Sequence, residues 1–233
     1  MTFLRSLLFN LFFFVSTFVL SLAAAIVQKA APARLLGFTQ MWARLQIAAV
    51  RVICGIRLDV QGQRNLPDGP VLIAARHESA FDILAWMVLV PDPCFVVKHE
   101  LTKIPVVGSL ISAVGMIVVD RQAGAATLRP MLRQADRAAA LGRQIVIFPE
   151  GTRCDPGEYP PPQPGIAALA ARTRLPVLPV TTNAGAYWGR RAFAKRPGTI
   201  QIVIHPPLDP KLDRAALLAR LAQIYRSGQI DGS

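Results

Sequence analysis

The chain has 233 residues, 52% of them hydrophobic and only 17% charged, with 26 lysines and arginines against 14 acids for a net charge of +12. That length suits one globular domain with a small appendage, and the apolar excess points to a membrane-associated protein whose partners are anionic. Three widely spaced cysteines supply neither a disulfide framework nor a zinc pattern and favour a reduced compartment, while 7% aromatic content and the absence of a basic motif argue against nucleic acid as the partner.

The first element is apolar. Leu7 to Val27 contains no charged residue, and at about 1.5 Å per residue such a run covers roughly 30 Å, the hydrocarbon thickness of a bilayer. A helix is expected over about 5–28. A cleaved signal peptide is the alternative, since Ser21 to Ala25 offers small residues. Only Arg5 precedes the run, whereas Lys29, Arg34, Arg44 and Arg51 follow it. That asymmetry is expected to keep the rest of the chain cytoplasmic; the membrane itself is expected to be an inner membrane of bacterial type. A second helix is expected over 35–56. Gln40, Arg44 and Arg51 fall within about 40° of one another on its wheel. Two readings stay open: a helix in the membrane interface or packed on the first, and an amphipathic helix covering a soluble core. Residues 1–56 are therefore taken as a membrane-anchoring segment, transmembrane or interfacial.

From residue 57 to 233 the pattern alternates. Strands are expected at Val71–Ala75, Cys94–Val97, Met116–Val119, Ile145–Phe148, Val177–Val180 and Ile200–Ile204. Helices are expected at about 80–90, 106–113, 125–141, 166–173 and 209–227. Apolar strands separated by helices predict an α/β domain, with a central, mostly parallel mixed sheet flanked by helices.

Loops that follow buried strands are favoured places for chemistry in such folds. Here they read Arg76-His77-Glu78-Ser79-Ala80-Phe81-Asp82, Lys98-His99-Glu100-Leu101, Asp120-Arg121 and Pro149-Glu150-Gly151-Thr152-Arg153. A histidine and an aspartate five apart do not share a face of one regular helix. They meet only if His77 lies in the turn and Asp82 in the first helical turn. Ser79-x-x-Asp82 resembles a capping box, so Asp82 either caps a helix or orients the His77 imidazole. Lys98, Arg121 and Arg153 are either a solvated basic rim or an anion site. Cys154, beside Arg153, could have a lowered pKa, but a covalent route through it is disfavoured because no second histidine stands beside it in sequence. His99 and His205 read as ordinary strand-end histidines.

Together these motifs resemble the glycerolipid acyltransferases, a family that includes the 1-acylglycerol-3-phosphate acyltransferases. The resemblance rests on HESAFD (77–82), on KHEL (98–101) with Pro105, Gly108 and Asp120-Arg121, on FPEGTR (148–153), and on LPVLPV (175–180). It runs from about residue 60 to 205. Glu78 stands where many relatives carry glutamine, and Pro164 precedes Gly165 where a lysine is common.

The resemblance implies an enzyme that moves a fatty acyl group from acyl-CoA or acyl-acyl-carrier protein to the hydroxyl of lysophosphatidic acid, giving phosphatidic acid among membrane lipids. No bound cofactor and no metal are expected. A thioester is already activated, so one base suffices: His77, oriented by Asp82. Arg153 is expected to fork onto phosphate, with Lys98, Arg121 and Thr152 completing the substrate site. Gly151 allows close backbone approach, and Glu150 binds an acceptor hydroxyl, holds Arg153, or forms a surface ion pair. Two rivals remain at this stage: the same chemistry on another lyso-lipid, such as a lyso-ornithine lipid, and a non-catalytic lipid-binding module.

Overall fold

A computed structural model of the chain describes residues 1–120 and 128–228. Seven strands form one sheet: β1 (Ile56–Gln61), β2 (Val71–Ala75), β3 (Pro93–Lys98), β4 (Ile117–Val119), β5 (Gln144–Ile147), β6 (Val177–Thr182) and β7 (Gly198–Ile204), in the order β1-β7-β6-β2-β5-β3-β4. Every pairing is parallel except β6 with β7. This is the expected mixed, mostly parallel sheet.

The centre of the sheet is apolar on both faces because helices cover both. Along β2, Val71, Ile73 and Ala75 join one core, while Leu72 and Ala74 join the other. This is the period of two expected of a strand. The first core is closed by α2 (Leu35–Cys54) and α3 (Phe81–Leu89), through Val50, Phe81, Leu84 and Trp86. The second is closed by α5 (Leu128–Ala140), α6 (Gly165–Thr173) and α8 (Arg214–Ser227), through Met131, Ala135, Leu169 and Leu221. Two shorter helices, α4 (Val107–Ala113) and α7 (Ala184–Tyr187), sit beside the ends of the parallel strands.

Strand β1 was absent from the expected set. Its alternation of Ile56, Leu58 and Val60 with Arg57, Asp59 and Gln61 belongs to an edge strand buried on one side only, a weaker signal than a continuous apolar run. The last helix starts at Arg214, five residues later than expected, because Asp213 caps it: its side chain accepts the Ala216 N–H at 2.7 Å.

The N-terminal helix α1 (Thr2–Ala30) has a mean hydropathy of 2.2 over its most apolar window, only 6% of which is buried. It is long and apolar enough to cross a membrane. It packs on α2, where Trp42 donates to Thr17 Oγ1 at 3.1 Å and Gln46 to Ser16 Oγ at 2.9 Å. Helix α2 rests at the same time on the end of α3, through Gln40 Nε2 to the Pro91 carbonyl at 3.0 Å. Helix α2 therefore packs on α1 with one side and covers the α/β core with another.

Candidate active site

Strands β2, β3, β5 and β6 run parallel, so their C-terminal ends share one edge of the sheet. The loop after β2 brings His77, and α3 begins at once with Asp82 in its first turn. His77 Nδ1 lies 3.0 Å from Asp82 Oδ2. The same oxygen accepts the backbone N–H groups of Glu78 and Ser79, each at 2.8 Å, and Ser79 Oγ accepts the Phe81 N–H at 3.1 Å. Capping and imidazole orientation are thus one arrangement rather than two. A carboxylate accepts from an N–H, so this geometry suits the tautomer with the proton on Nδ1 and a lone pair on Nε2.

The loop after β5 closes on the first. The Gly151 N–H donates to the Phe148 carbonyl at 3.0 Å, a tight turn in which Gly151 takes φ 76°. A side chain is disfavoured in that region, which is why glycine stands there. The Cys154 N–H donates to the His77 carbonyl at 2.8 Å, and the Phe148 ring stacks on the His77 ring at 4.0 Å and 18°. The two motifs, far apart in sequence, are bonded at the backbone and packed ring on ring.

They line a common cleft of about 550 Å³. His77, Lys98, Gly151, Thr152 and Arg153 all border it, together with Arg190 and Arg191. The last two were not singled out from sequence. They lie in the loop beyond β6 and α7, at the same sheet edge, and Arg190 donates to the Arg153 carbonyl at 3.2 Å. Burial lowers the pKa of the Arg153 guanidinium; Asp82 opposes the shift, while Arg190 and Arg191 push the same way. Cations crowded into a partly dry cleft repel one another until an anion joins them.

The rest of the cleft is apolar. Met87, Val107, Ile111 and Met116 line both the cleft and a second cavity of about 190 Å³, bordered by Leu20 and Ala24 of α1, Phe38 and Trp42 of α2, and Leu110 of α4. Cationic mouth and apolar recess therefore share part of their lining.

Behind His77 lies a buried ion pair. Arg76 donates to Glu78 Oε1 at 3.0 Å and to the Glu158 carbonyl at 2.9 Å, with its guanidinium 4.4 Å over the Tyr159 ring. Glu78 Oε2 accepts the Gly185 N–H at 3.1 Å, which ties the β2 loop to α7. Burial raises Glu78 to about 7, with Arg76 opposing.

The expectation for Glu150 needs correction. Glu150 is not among the residues bordering the cleft and is 6% exposed, and among the described residues it holds neither Arg153 nor a surface partner and both its carboxylate oxygens lack a hydrogen bond of good geometry. Burial raises its pKa to about 7; the nearby N–H groups of His77 and Glu150 itself, and Arg76, offset this only in part. Cys154 is buried, and burial together with Glu150 pushes its thiol up to about 11, the opposite of an activated nucleophile. Arg121 lies outside the described residues.

Residues 57–183 match the family model described as Acyltransferase. The chain belongs to the acyltransferase family. It is 34% identical, over 94% of its own length and 86% of the relative's, to the 1-acyl-sn-glycerol-3-phosphate acyltransferase of Pseudomonas aeruginosa. It is 27% identical to the mouse 1-acyl-sn-glycerol-3-phosphate acyltransferase alpha, of which it spans 59%. The fold is similar to the crystal structure of the 1-acyl-sn-glycerophosphate (LPA) acyltransferase PlsC from Thermotoga maritima, with a TM-score of 0.77 and 25% identity over 98% of this chain and 96% of that one.

Proposed function

We propose that this acyltransferase transfers a fatty acyl group from a thioester donor, acyl-CoA or acyl-acyl-carrier protein, to the free hydroxyl of 1-acyl-sn-glycerol-3-phosphate. The observation that carries the reading is the placement of an Asp82-bound imidazole on the same cleft as Arg153, Arg190, Arg191 and Lys98, with an apolar recess beside it. The acceptor's phosphate meets the cations and its acyl tail meets the apolar wall. Its hydroxyl is thereby left within reach of His77.

His77 Nε2 removes the hydroxyl proton as the oxygen attacks the thioester carbonyl, and the imidazolium formed is stabilised by Asp82. The tetrahedral intermediate collapses, the carbon–sulfur bond breaks, and the thiolate takes the proton back from His77. No acyl-enzyme is required, and the protonated, buried Cys154 fits that absence. Arg153, Arg190, Arg191 and Lys98 hold the phosphate through both protonation events. Fixing the acceptor in this way replaces a bimolecular encounter with a positioned one.

Helix α1 anchors the enzyme to the membrane. It is held against the domain along its length: Phe3 meets the Phe193 ring at 5.1 Å, Phe9 and Phe13 meet Trp188 at 5.2 and 5.7 Å, and Ser109 donates to Gln28 at 3.3 Å. Crossing the bilayer would drag the attached polar surface into hydrocarbon. The contacts support α1 lying in the interface, with Phe14, Phe18, Leu11 and Val15, all more than half exposed, among the acyl chains. The α/β domain, with its net positive charge, then faces the cytoplasm.

The deciding experiment is a matrix of donors and acceptors with wild type and His77→Ala in phospholipid vesicles. Transfer to lysophosphatidate that vanishes in the variant, while vesicle binding persists, is the expected result. Equal turnover on an acceptor lacking phosphate would overturn the acceptor assignment.

A further inference from the structure

The loop joining α7 to β7 carries Arg190 and Arg191 to the cleft, yet little packing holds it there. Besides the cleft, the loop borders a cavity of about 670 Å³ lined by residues that include Gly185, Gly189, Ala192 and Ala194. Arg190, Arg191 and Phe193 are exposed, and Arg191 takes φ 54°, a region that costs a non-glycine residue roughly 1 kcal/mol.

One residue of this loop is different. Lys195 is only 3% exposed. Its three ammonium protons have three acceptors: Asn10 Oδ1 at 2.5 Å, the Ala192 carbonyl at 3.1 Å and the Phe193 carbonyl at 3.0 Å. The ammonium also lies 5.2 Å from the centre of the Trp188 ring, which Phe9 and Phe13 of α1 meet edge-on. Two further bonds cross the same seam: the Lys195 N–H donates to Ser6 Oγ at 2.9 Å, and Asn10 Nδ2 donates to the Phe193 carbonyl at 3.1 Å. Among the described residues Lys195 has no carboxylate partner. A charge is kept in such a place only when its protons are all engaged. Ser6 and Asn10, polar residues four apart on α1, share one face and supply that engagement.

We propose that Lys195 is a positioning residue whose buried ammonium staples the loop bearing Arg190 and Arg191 to α1, so that the cleft's set of cations is complete only with the N-terminal helix seated on the domain. The inference rests on the reading that those arginines grip the acceptor's phosphate. It gives α1 a second role beyond anchoring, because seating the helix arranges the site.

The test uses the full chain in phospholipid vesicles, with Lys195→Met, Asn10→Ala, Arg190→Gln/Arg191→Gln, and Lys195→Met combined with the double arginine variant. Hydrogen exchange of amides 189–196 reads the staple. Lys195→Met and Asn10→Ala are expected to speed it, with amides 148–153 unchanged. Steady-state kinetics read the consequence: KM for lysophosphatidate rises about three- to thirtyfold in Lys195→Met with kcat within about twofold. The same substitution adds nothing once both arginines are glutamine. Unchanged exchange in both Lys195→Met and Asn10→Ala overturns the staple, as does a Lys195→Met effect that persists undiminished without the arginines. If exchange speeds up but the double arginine variant keeps the wild-type KM, the staple stands and the phosphate assignment falls instead.

Discussion

One carboxylate oxygen of Asp82 serves both the His77 ring and the turn that carries it. Oδ2 meets Nδ1 at 3.0 Å and accepts two backbone N–H groups at 2.8 Å, while Oδ1 is buried with no hydrogen-bond partner among the described residues. Asp82→Asn should therefore turn its amide oxygen to the backbone donors. The fold and the imidazole tautomer survive, and only the negative charge facing the imidazolium is lost. We expect kcat to fall about 10²-fold with the thermal midpoint nearly unchanged. Asp82→Ala strips the two N–H groups as well and should cost about 2 kcal/mol or more of stability. Equal midpoints for the two variants, from thermal melts in one detergent, would contradict this division of labour.

The cations at the cleft should act on binding more than on chemistry. Arg153→Gln is expected to raise KM for lysophosphatidate about tenfold or more, since a charge-assisted pair contributes about 1.5–3 kcal/mol. Arg153→Lys should recover only part of the loss, because a point charge does not replace a planar fork. KM for monoacylglycerol, which lacks the phosphate, should not change in either variant. A parallel rise for both acceptors would remove the phosphate from the account.

Glu150 should make stability fall with rising pH. Its pKa is about 7 in the folded protein, from burial, against an ordinary 4.5. Between those values the folded state holds a proton that the unfolded chain has released. The stabilisation is complete below about pH 4.5 and is lost as pH rises through about 7. A shift of that size corresponds to about 3 kcal/mol. Glu150→Gln mimics the protonated acid, so it should gain stability at pH 8 and almost none near pH 4.5. Denaturant titrations at both pH values check this, and an unaltered pH slope in the variant would count against it.

The recess between α1, α2 and α4 should set acyl-chain length. Ser21 borders it, and Ser21→Phe fills part of its volume. Each methylene that can no longer be buried forfeits about 0.8 kcal/mol. Product profiles from a mixed pool of acyl donors should shift toward shorter chains, with turnover on short donors retained. A profile identical to wild type would place the transferred chain elsewhere.

Cys154→Ala should keep kcat within about threefold, because the thiol is buried, held protonated and not among the groups bordering the cleft. Loss of all turnover, with the fold intact by circular dichroism, would restore a covalent route.

Much of the fold was legible because the central strands are continuous apolar runs, β2 above all, with nearly the same bounds in sequence and structure. The edge strand β1 was not, since half its residues face outward. In the site, His77, Asp82 and the segment from Phe148 to Arg153 were readable as motifs at strand ends. Arg190 and Arg191 were not, because twin arginines on an exposed loop look like any solvated charge. The burial of Glu150 was not legible for a related reason: burial, not sequence neighbours, decides the direction of its pKa shift, as it does for the Cys154 thiol.

By itself the sequence determined which segments must leave water and which short motifs follow them, because hydrophobic period and turn chemistry are local properties of the chain. Which charges meet was decided only by the tertiary structure. Parallel β2, β3, β5 and β6 end on a common edge, and that edge gathers an imidazole, three guanidiniums and an ammonium around one cleft. Whether each charge is wet or dry, paired or crowded, depends on neighbours supplied from distant parts of the chain.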